Sequence, residues 1–571
     1  MISIKIAKIF EDLADMLEIK GENPFRIRAY RKAARNIRTL TNELEKFADE
    51  GRLEQIPGIG EGMKEKIYEI LDTGRLQFYE KLKNDIPPSL VKLLSIPGIG
   101  PRLAKRFYDE LNIKDIEHLE KMAKEHRLAE LEGIKEKTEQ NILKGIEMLK
   151  RGLERMTLGV ALPLANEILD QLSKLPEVKR INTAGSIRRR KETIGDIDIL
   201  TISSNSKKVM NTFINLPQVE RVIISGETKS SIITYDDIHV DLRVVEPESY
   251  GSALAYFTGS KAHNIRIREI AMKKGLKINE YGVFDEKNNK KIAGENEEDI
   301  YQVLDLPFIV PELREDRGEI EAARNNNLPD LVKLSEIKGD FHVHTVWSDG
   351  GNSIEEMAKA AKERGYKYLA ICDHSKSLRI AGGLSEEKLV EQIEKIKELN
   401  EKYKNFTILA GSEVDIKADG SLDYTDELLE KLDIVVAAIH TRFSMPEHEM
   451  TKRIIKALQN PYVNILAHPT GRLMGVRDPY ELDLDEVLKV AKKNKVTLEI
   501  NSFPERLDLN DIDSRRAKEY DVMISINTDS HITNQLDYMA LGVSVARRGW
   551  LEPENIINTK PIEQIIKFLK S

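Results

Sequence analysis

The hydrophobic rhythm of the chain changes twice. From 1 to about 150, apolar residues recur at helical spacing, as in MISIKIAKIFEDLADMLEI, and short Gly-marked turns interrupt them. From about 151 to 315, helix-like and strand-like runs alternate. From about 338 to 571 the alternation becomes regular. Seven β-branched apolar runs, GDFHVHT, YLAICDHS, TILAGSEVDI, DIVVAAIHT, VNILAHPT, TLEINS and MISINTDSH, are separated by helical stretches. This pattern predicts all-α N-terminal domains, a mixed α/β middle and a C-terminal (β/α) barrel short of eight repeats. Between the second and third regions, REDRGEIEAARNNNLPDLVKLSEIKG reads as a linker: charged, then Asn-rich, with a proline.

Composition narrows the setting. At 571 residues the chain has room for several cores, and 40% hydrophobic with 32% charged residues is ordinary for a soluble protein. A single cysteine, Cys372, excludes a disulfide framework and fits a reducing cytosol. The N-terminus lacks the basic start and apolar run of a signal peptide, and no run approaches the roughly 20 apolar residues of a membrane span. The expectation is a cytoplasmic protein with no membrane partner. Net charge is −8, but its distribution is uneven. Residues 1–150 carry 28 basic and 27 acidic side chains, whereas 331–571 carry 34 and 40.

A repeat lies in the first region. IPGIGEGMKEKI (56–67) returns as IPGIGPRLAKRF (96–107), with a weaker echo, LEGIKEKTEQNI, at 131–142. Each places a Gly-containing hairpin before an apolar-periodic helix. Gly58, Gly60, Gly98 and Gly100 would leave backbone N–H groups free at a helix start, which suits a phosphate oxygen and reads no base. A tight αα turn is the other reading. The stretch FRIRAYRKAARNIR (25–38) has six basic residues and no acid. Arg28, Arg31, Arg35 and Arg38 share much of one helical face and form a candidate phosphate track, a solvated face being the alternative.

The middle region carries paired carboxylates. IGDIDILTI alternates as a strand, so Asp196 and Asp198 point to one side, roughly 6.5–7 Å apart. In DIHVDLRVVEP, His239, Asp241 and Arg243 share a face. If these strands are neighbours, three carboxylates converge and suit a Mg²⁺ pair; a solvent-facing acidic strand edge is the alternative. Gly185-Ser186 before Arg188, Arg189 and Arg190 offers N–H groups, a hydroxyl and guanidinium forks for a triphosphate.

GSIRRRKETIGDID, VDLR, YFTGSKAHNIRIR and INEYGVF together resemble the family X DNA polymerases, as do ENPFRIRAYRKAARNI and the two PGIG repeats. The resemblance covers about 1–310. It implies helix–hairpin–helix domains at 1–85 and 86–150, an α/β nucleotidyltransferase palm at 151–250 and an α+β thumb-like subdomain at 251–315 that binds the nascent pair. It further implies dNTP addition to gapped or primer-template DNA, filling short gaps in DNA repair. Asp196, Asp198 and Asp241 would hold two Mg²⁺ ions, with Mn²⁺ as an option. Gly185, Ser186 and Arg189 would hold the triphosphate, Tyr256, Phe257 and Gly259 the sugar, and Asn264 and Arg268 the minor-groove side of the pair. Two positions depart from the pattern. His239 stands where the family's best-known member has Arg. Lys66 falls at the lyase lysine of the eukaryotic enzymes, but Gly62 replaces a DNA-contacting lysine nearby.

In the third region, six of the seven runs end in His, Asp or Glu: His342/His344, His374, Glu413, His440, His468 and Asp529/His531; TLEINS offers Asn501. Chemistry in such barrels sits at these strand ends. With Asp349 there are nine candidates, more than one tetrahedral site needs, and their mixed donors suit two or three Zn²⁺, Mn²⁺ or Fe²⁺ ions. HVHTVWSDG, CDHS, GSEVDI, AIHT, AHPTGR and TDSH resemble the PHP (polymerase and histidinol phosphatase) domain over 338–571. That resemblance implies a distorted (β/α)7 barrel, all nine residues as ligands, Asp340 fixing a histidine tautomer, and phosphoester hydrolysis. The combined expectation is a monomeric repair polymerase with a 3′→5′ exonuclease, 3′-phosphatase and abasic-site endonuclease activity being further options, and a linker at 316–337. A phosphoesterase with a vestigial polymerase half and a silent DNA-binding scaffold are the alternatives.

Overall fold

A computed structural model describes residues 2–569 apart from 40–43, 57, 87, 97–98, 132–133, 135–137, 144 and 147–154. The chain forms two compact units: residues 1–155 with 475–477, and residues 156–474 with 478–571.

The first unit is helical. Helices Ile2–Lys20 and Pro24–Thr39 pack through Phe10, Leu13, Leu17, Tyr30, Ala34 and Ile37, all buried. The three sequence repeats share one local geometry. A 3₁₀ turn (Leu53–Gln55, Leu93–Ser95, Leu128–Glu130) is followed by an i+3 backbone bond, Ile59 N–H to Ile56, Ile99 to Ile96 and Ile134 to Leu131, at 3.0, 3.0 and 3.1 Å. Helices Glu61–Thr73 and Pro101–Leu111 then start on Gly60 and Gly100 as N-caps. Neither cap has a side chain to satisfy the first N–H groups, and both glycines are exposed. Amides without an intrahelical acceptor follow at both starts, although at the second Pro101 has no N–H to offer.

The second unit contains the palm, the thumb and the barrel. The palm sheet comprises β1 (Val178–Thr183), β2 (Ile197–Ser203), β3 (Val219–Ser225), β4 (Lys229–Thr234) and β5 (His239–Val244) in the order β1-β2-β5-β4-β3. All neighbours are antiparallel except β2 and β5. The thumb has a three-stranded antiparallel sheet, β6 (Leu276–Asn279), β7 (Gly282–Asp285) and β8 (Lys291–Ala293). Bidentate pairing of Arg188 with Glu297, at 2.7 Å for both bonds, ties it to the palm. Arg314, fully buried, shares Glu297 at 2.5 Å. Two guanidiniums on one carboxylate give that buried charge the pairing it requires, while Arg314 Nη2 stays without a hydrogen bond.

Seven parallel strands make the barrel, as the alternating pattern predicts: β9 (Gly339–Val343), β10 (Tyr368–Ile371), β11 (Thr407–Asp415), β12 (Ile434–Ala438), β13 (Ile465–Leu466), β14 (Thr497–Asn501) and β15 (Ile524–Asn527). A bridge between Val343 and Ser530 joins the last strand to the first. Nearly every strand residue is buried, because helices cover the outside and side chains fill the inside. The barrel and palm share one hydrophobic core, in which Leu158, Ala161 and Ala165 of the palm helix Leu158–Ser173 cluster with Leu541 and Val545 of the barrel helix Met539–Arg548.

The connection read from composition as a linker is packed. Ile320 and Val332 are buried, Val332 N–H donates to Leu551 O (3.1 Å), and Arg317 pairs with Asp511 at 2.9 Å. The buried Glu319 accepts from the amides of Asp316 and Arg317 and from His263 Nδ1. These partners are remote in sequence, so its charge-rich composition gave no hint of them. Among the described residues no helix is long and apolar enough to cross a membrane.

Gly251, in the thumb helix Tyr250–Thr258, has no room for a side chain: a Cβ there would stand 2.1–2.5 Å from backbone atoms of Asn296 and Glu297. Backbone cannot step aside as a flexible side chain can. Gly251→Ala is expected to destabilise the thumb by about 1–3 kcal/mol, read as a lowered first transition in thermal unfolding; an unchanged melting profile would contradict this packing.

Candidate functional site

In the palm, parallel pairing sets Asp198 of β2 directly beside Asp241 of β5. Their flanking residues Ile197, Ile199, Val240 and Leu242 are buried on the other side, so alternation turns both carboxylates the same way. Asp196 precedes β2 on the same side. Burial, then the charges of Asp196 and Asp241, push the Asp198 carboxyl up to about 6. Asp241 is opposite: burial opposes its charge, but the Ser231 hydroxyl at 2.5 Å and the Lys229 ammonium at 2.9 Å hold its carboxyl below the usual range. His239 and Arg243 stand 3.4 and 3.8 Å from it. A cluster whose members repel one another is what a divalent cation would relieve. Gly185 (φ +62°) closes over it: a Cβ would lie 2.6 Å from Asp198 Oδ2.

The expected nucleotide residues gather around the palm–thumb junction. Arg189 Nη1 donates to the Thr258 carbonyl, and a Cβ on Gly259 (φ +70°) would lie 3.2 Å from that nitrogen. Asn264 Nδ2 donates to Tyr256 O (2.7 Å) and Arg268 Nε to Asn264 O (3.2 Å), so these three form one chain of contacts. Phe257 lies under Arg243, 4.7 Å from ring centre to guanidinium, and Ser186 is the second residue of the short helix Gly185–Arg188. Arg188 is spent on Glu297 and Thr258. Arg189 itself is paired, 3.0 Å from Glu315.

The barrel's carboxyl-end loops bring all nine predicted residues together. Glu413 is the hub: Oε1 lies 2.9 Å from His468 Nε2 and 3.2 Å from His440 Nε2, while Oε2 lies 2.7, 3.6 and 3.7 Å from nitrogens of His374, His342 and His344. Ligand atoms fall into three groups, each within 4.8 Å: His344, Asp349, His374 and His531; His342, His344 and Asp529; His374, Glu413 and His440. His342 Nε2, both nitrogens of His344, His374 Nδ1 and Glu413 Oε2 are buried without a hydrogen bond. Buried polar atoms are rarely left so, and lone pairs converging on common points fit cations well. The ring charges diverge for the same reason. Burial opposes a charge on His374, but Glu413 and Asp349 lift it to about 10; burial and Arg506 push His468 down to about 4. A divalent cation would displace such protons.

Comparison with known proteins then places the whole chain. It is 40% identical over 567 residues, 99% of both chains, to "DNA polymerase/3'-5' exonuclease PolX" of Bacillus subtilis (strain 168). The chain belongs to the family X DNA polymerases that carry a PHP domain. Its parts agree: residues 3–76 match a helix-hairpin-helix domain, 90–148 a SAM-like helix-hairpin-helix tandem, 253–315 the DNA polymerase beta thumb and 340–503 the PHP domain. The barrel portion alone is 30% identical over 242 residues (40% of this chain, 94% of the relative) to a "Probable phosphatase" of Thermoanaerobacter sp. (strain X514). It is 29% identical over 245 residues (41% and 96%) to another from Caldicellulosiruptor bescii.

Two carboxylates of this family X polymerase escaped the sequence reading. His342 Nδ1 donates to Glu499 (2.8 Å) and His440 Nδ1 to Asp415 (2.5 Å), which leaves each Nε2 facing the centre. Asp340, expected to fix a tautomer, instead accepts from Thr528 Oγ1 (2.5 Å) and the amides of Thr528 and His342, and shapes backbone. The signal was present as period-two alternation: Glu499 is two before Asn501, and Asp415 two after Glu413. Arg506 is a further cation, 3.7 Å from Asp529, with Nη1 buried and unbonded.

At the N-terminal unit the expected phosphate track is weaker than its sequence suggests. Arg31 pairs with Asp15 (2.9 Å) and Glu18, acids of the preceding helix. Arg28 is exposed over the Phe25 ring. The side chains of Arg35 and Arg38, and Gly98, lie outside the described residues. Lys66 Nζ donates to Gly62 O (2.6 Å) above the Phe78 ring.

Glu499→Gln removes the charge behind His342 and is expected to weaken metal binding at the barrel by about 10–100-fold, measured by metal analysis after titration with a chelator. Undiminished retention would mean that Glu499 orients nothing.

Proposed function

We propose that the two carboxylate-bearing sites divide the work of a DNA polymerase with 3′→5′ exonuclease activity. In the palm, Asp196, Asp198 and Asp241 hold two Mg²⁺ ions, with Mn²⁺ able to replace them, for transfer of a dNTP to a 3′ end. In the barrel, the nine-residue cluster holds two or three Zn²⁺, Mn²⁺ or Fe²⁺ ions for phosphodiester hydrolysis. The observation that carries this reading is the pairing of Asp198 with Asp241 in one sheet and, in a separate fold, a set of converging buried donor atoms without hydrogen bonds. The bound ions would supply charge stabilisation at phosphorus and a nucleophile at neutral pH.

The residues do the rest. Lys229 and Ser231 keep Asp241 ionised, so a ligand oxygen is available throughout the neutral range. Gly185 admits the triphosphate close to Asp198, with Ser186 and Arg189 beside it. Tyr256, Phe257 and Gly259 bound the sugar, and Asn264 and Arg268, linked through Asn264 O, face the pair. In the barrel, Glu499 and Asp415 hold His342 and His440 in the tautomers that point Nε2 inward, and Arg506 is placed to take a phosphate oxygen. Free amides at the Gly60 and Gly100 helix starts hold DNA by its backbone, which suits gapped repair substrates of any sequence. The protein works as a monomer with DNA in the cytoplasm.

Primer extension on one-nucleotide-gapped DNA, beside digestion of a 3′ end, tests the division. Asp196→Ala is expected to lower extension by about 10³-fold or more and spare digestion, and His344→Ala to do the reverse. Loss of both activities from either substitution in a folded protein would refute two independent sites. Wild type that digests without extending would point to a vestigial polymerase half, and wild type that does neither to a scaffold. Chelation followed by Mg²⁺ alone is expected to restore extension before digestion, because nitrogen-rich sites bind Mg²⁺ poorly.

A further inference from the structure

Arg189 does not stand free for a triphosphate. Only 12% of its side chain is exposed, and Nε lies 3.0 Å from Glu315 Oε1. The same oxygen lies 3.0 Å from Nη1 of Arg548, the last residue of the barrel helix Met539–Arg548. That Nη1 also donates to the backbone carbonyl of Arg189 at 2.8 Å. Arg548 Nη2 is anchored 2.8 Å from Asp511, which Arg317 also holds. A second barrel residue grips the same palm loop: Arg472 pairs with Glu192 through two bonds, 3.1 and 2.7 Å. The loop from Gly185 to Glu192 is thus clamped at Arg189 and Glu192 by arginines of the hydrolytic domain.

Glu315 is shared by two guanidiniums through one oxygen. Without Arg548, Arg189 would be its remaining guanidinium partner, with only the charge of Lys191 also acting on it, and a triphosphate would compete against a less divided carboxylate. With Arg548, part of that charge is satisfied from the barrel, and the Arg189 backbone is fixed as well. Arg548 is far too deep for a surface ion pair of negligible worth, being 3% exposed at its side chain.

We propose that Arg548 is a positioning residue for nucleotide binding: the barrel draws Glu315 away from Arg189 and holds the Arg189 carbonyl, so that the palm presents a usable guanidinium to the incoming triphosphate. This rests on the reading of Arg189 as a triphosphate ligand. The barrel is then part of the polymerase site, and a palm and thumb lacking it would bind dNTPs poorly while keeping all three catalytic carboxylates.

The test is steady-state extension of gapped DNA by the full chain, with KM for dNTP and kcat measured separately. Arg548→Ala is expected to raise KM about tenfold with kcat changed by less than about twofold. Digestion by the barrel should be unchanged. Adding Glu315→Gln to Arg548→Ala removes the competitor and is expected to return KM to within about threefold of wild type. A purely structural role for Arg548 would give no such rescue. If Arg548→Ala fails to fold, Arg548→Lys, which loses the fork but keeps the charge, is expected to raise KM about threefold, again relieved by Glu315→Gln. An unchanged KM in the single variant, or a raised KM that persists in the double variant, overturns the proposal. Arg189→Ala separates the two levels. If it leaves KM unchanged, the reading of Arg189 fails; if it raises KM while Arg548→Ala does not, only the coupling fails.

Discussion

Parallel strand pairing is the constraint on which both sites depend. Two parallel neighbours begin at one edge and end at the other, so polar residues at matching ends are brought side by side: the amino ends in the palm, the carboxyl ends in the barrel. In the palm the only parallel pair is β2 with β5, and it is the one that carries Asp198 and Asp241. The helix and hairpin between them form the long crossover that a parallel pair needs. In the barrel the same rule is applied seven times. His342, Glu413, His440, His468 and Asp529 come from five different strands or the loops just after them, and meet because every strand points the same way. An antiparallel arrangement would have scattered the same side chains over two edges.

Once gathered, the two sets face opposite electrostatic problems. The palm collects carboxylates that raise one another's proton affinity, and the Lys229 and Ser231 contacts bias which of them stays ionised. The barrel mixes carboxylates with imidazoles, so the bare cluster can balance itself only by holding protons on buried rings. Second partners decide the outcome there. Glu499 and Asp415 fix which nitrogen points inward, and without them the rings could turn their lone pairs away from the centre.

The domains are also less separable than a two-activity enzyme suggests. A shared core joins palm to barrel, and Arg472 and Arg548 bind the palm loop that carries Arg189. The buried Arg188–Glu297–Arg314 triad similarly ties palm to thumb. Ion pairs of this kind hold orientation better than they add stability, since their desolvation offsets much of their attraction. Orientation is what a loop presenting amides, a hydroxyl and a guanidinium to one phosphate chain requires.

Much of this was legible in the chain itself. Period-two alternation placed Asp196 with Asp198 and His239 with Asp241 and Arg243, because side-chain direction in a strand follows from local geometry alone. The seven apolar runs announced seven strands, and eight of the nine candidate ligands stood at or just past their ends. Folding decided what depends on distant partners. Arg31 sits in a run without acids, yet Asp15 and Glu18 from the neighbouring helix neutralise it. The segment 316–337 has a linker's composition, yet it is packed through Glu319, Val332 and Arg317. Glu499 and Asp415 became recognisable only when the rings they orient lay beside them. Local pattern determines which way a side chain points; whether it meets a cation, an acid or water there depends on surfaces brought from elsewhere in the chain, and no short stretch of sequence records them.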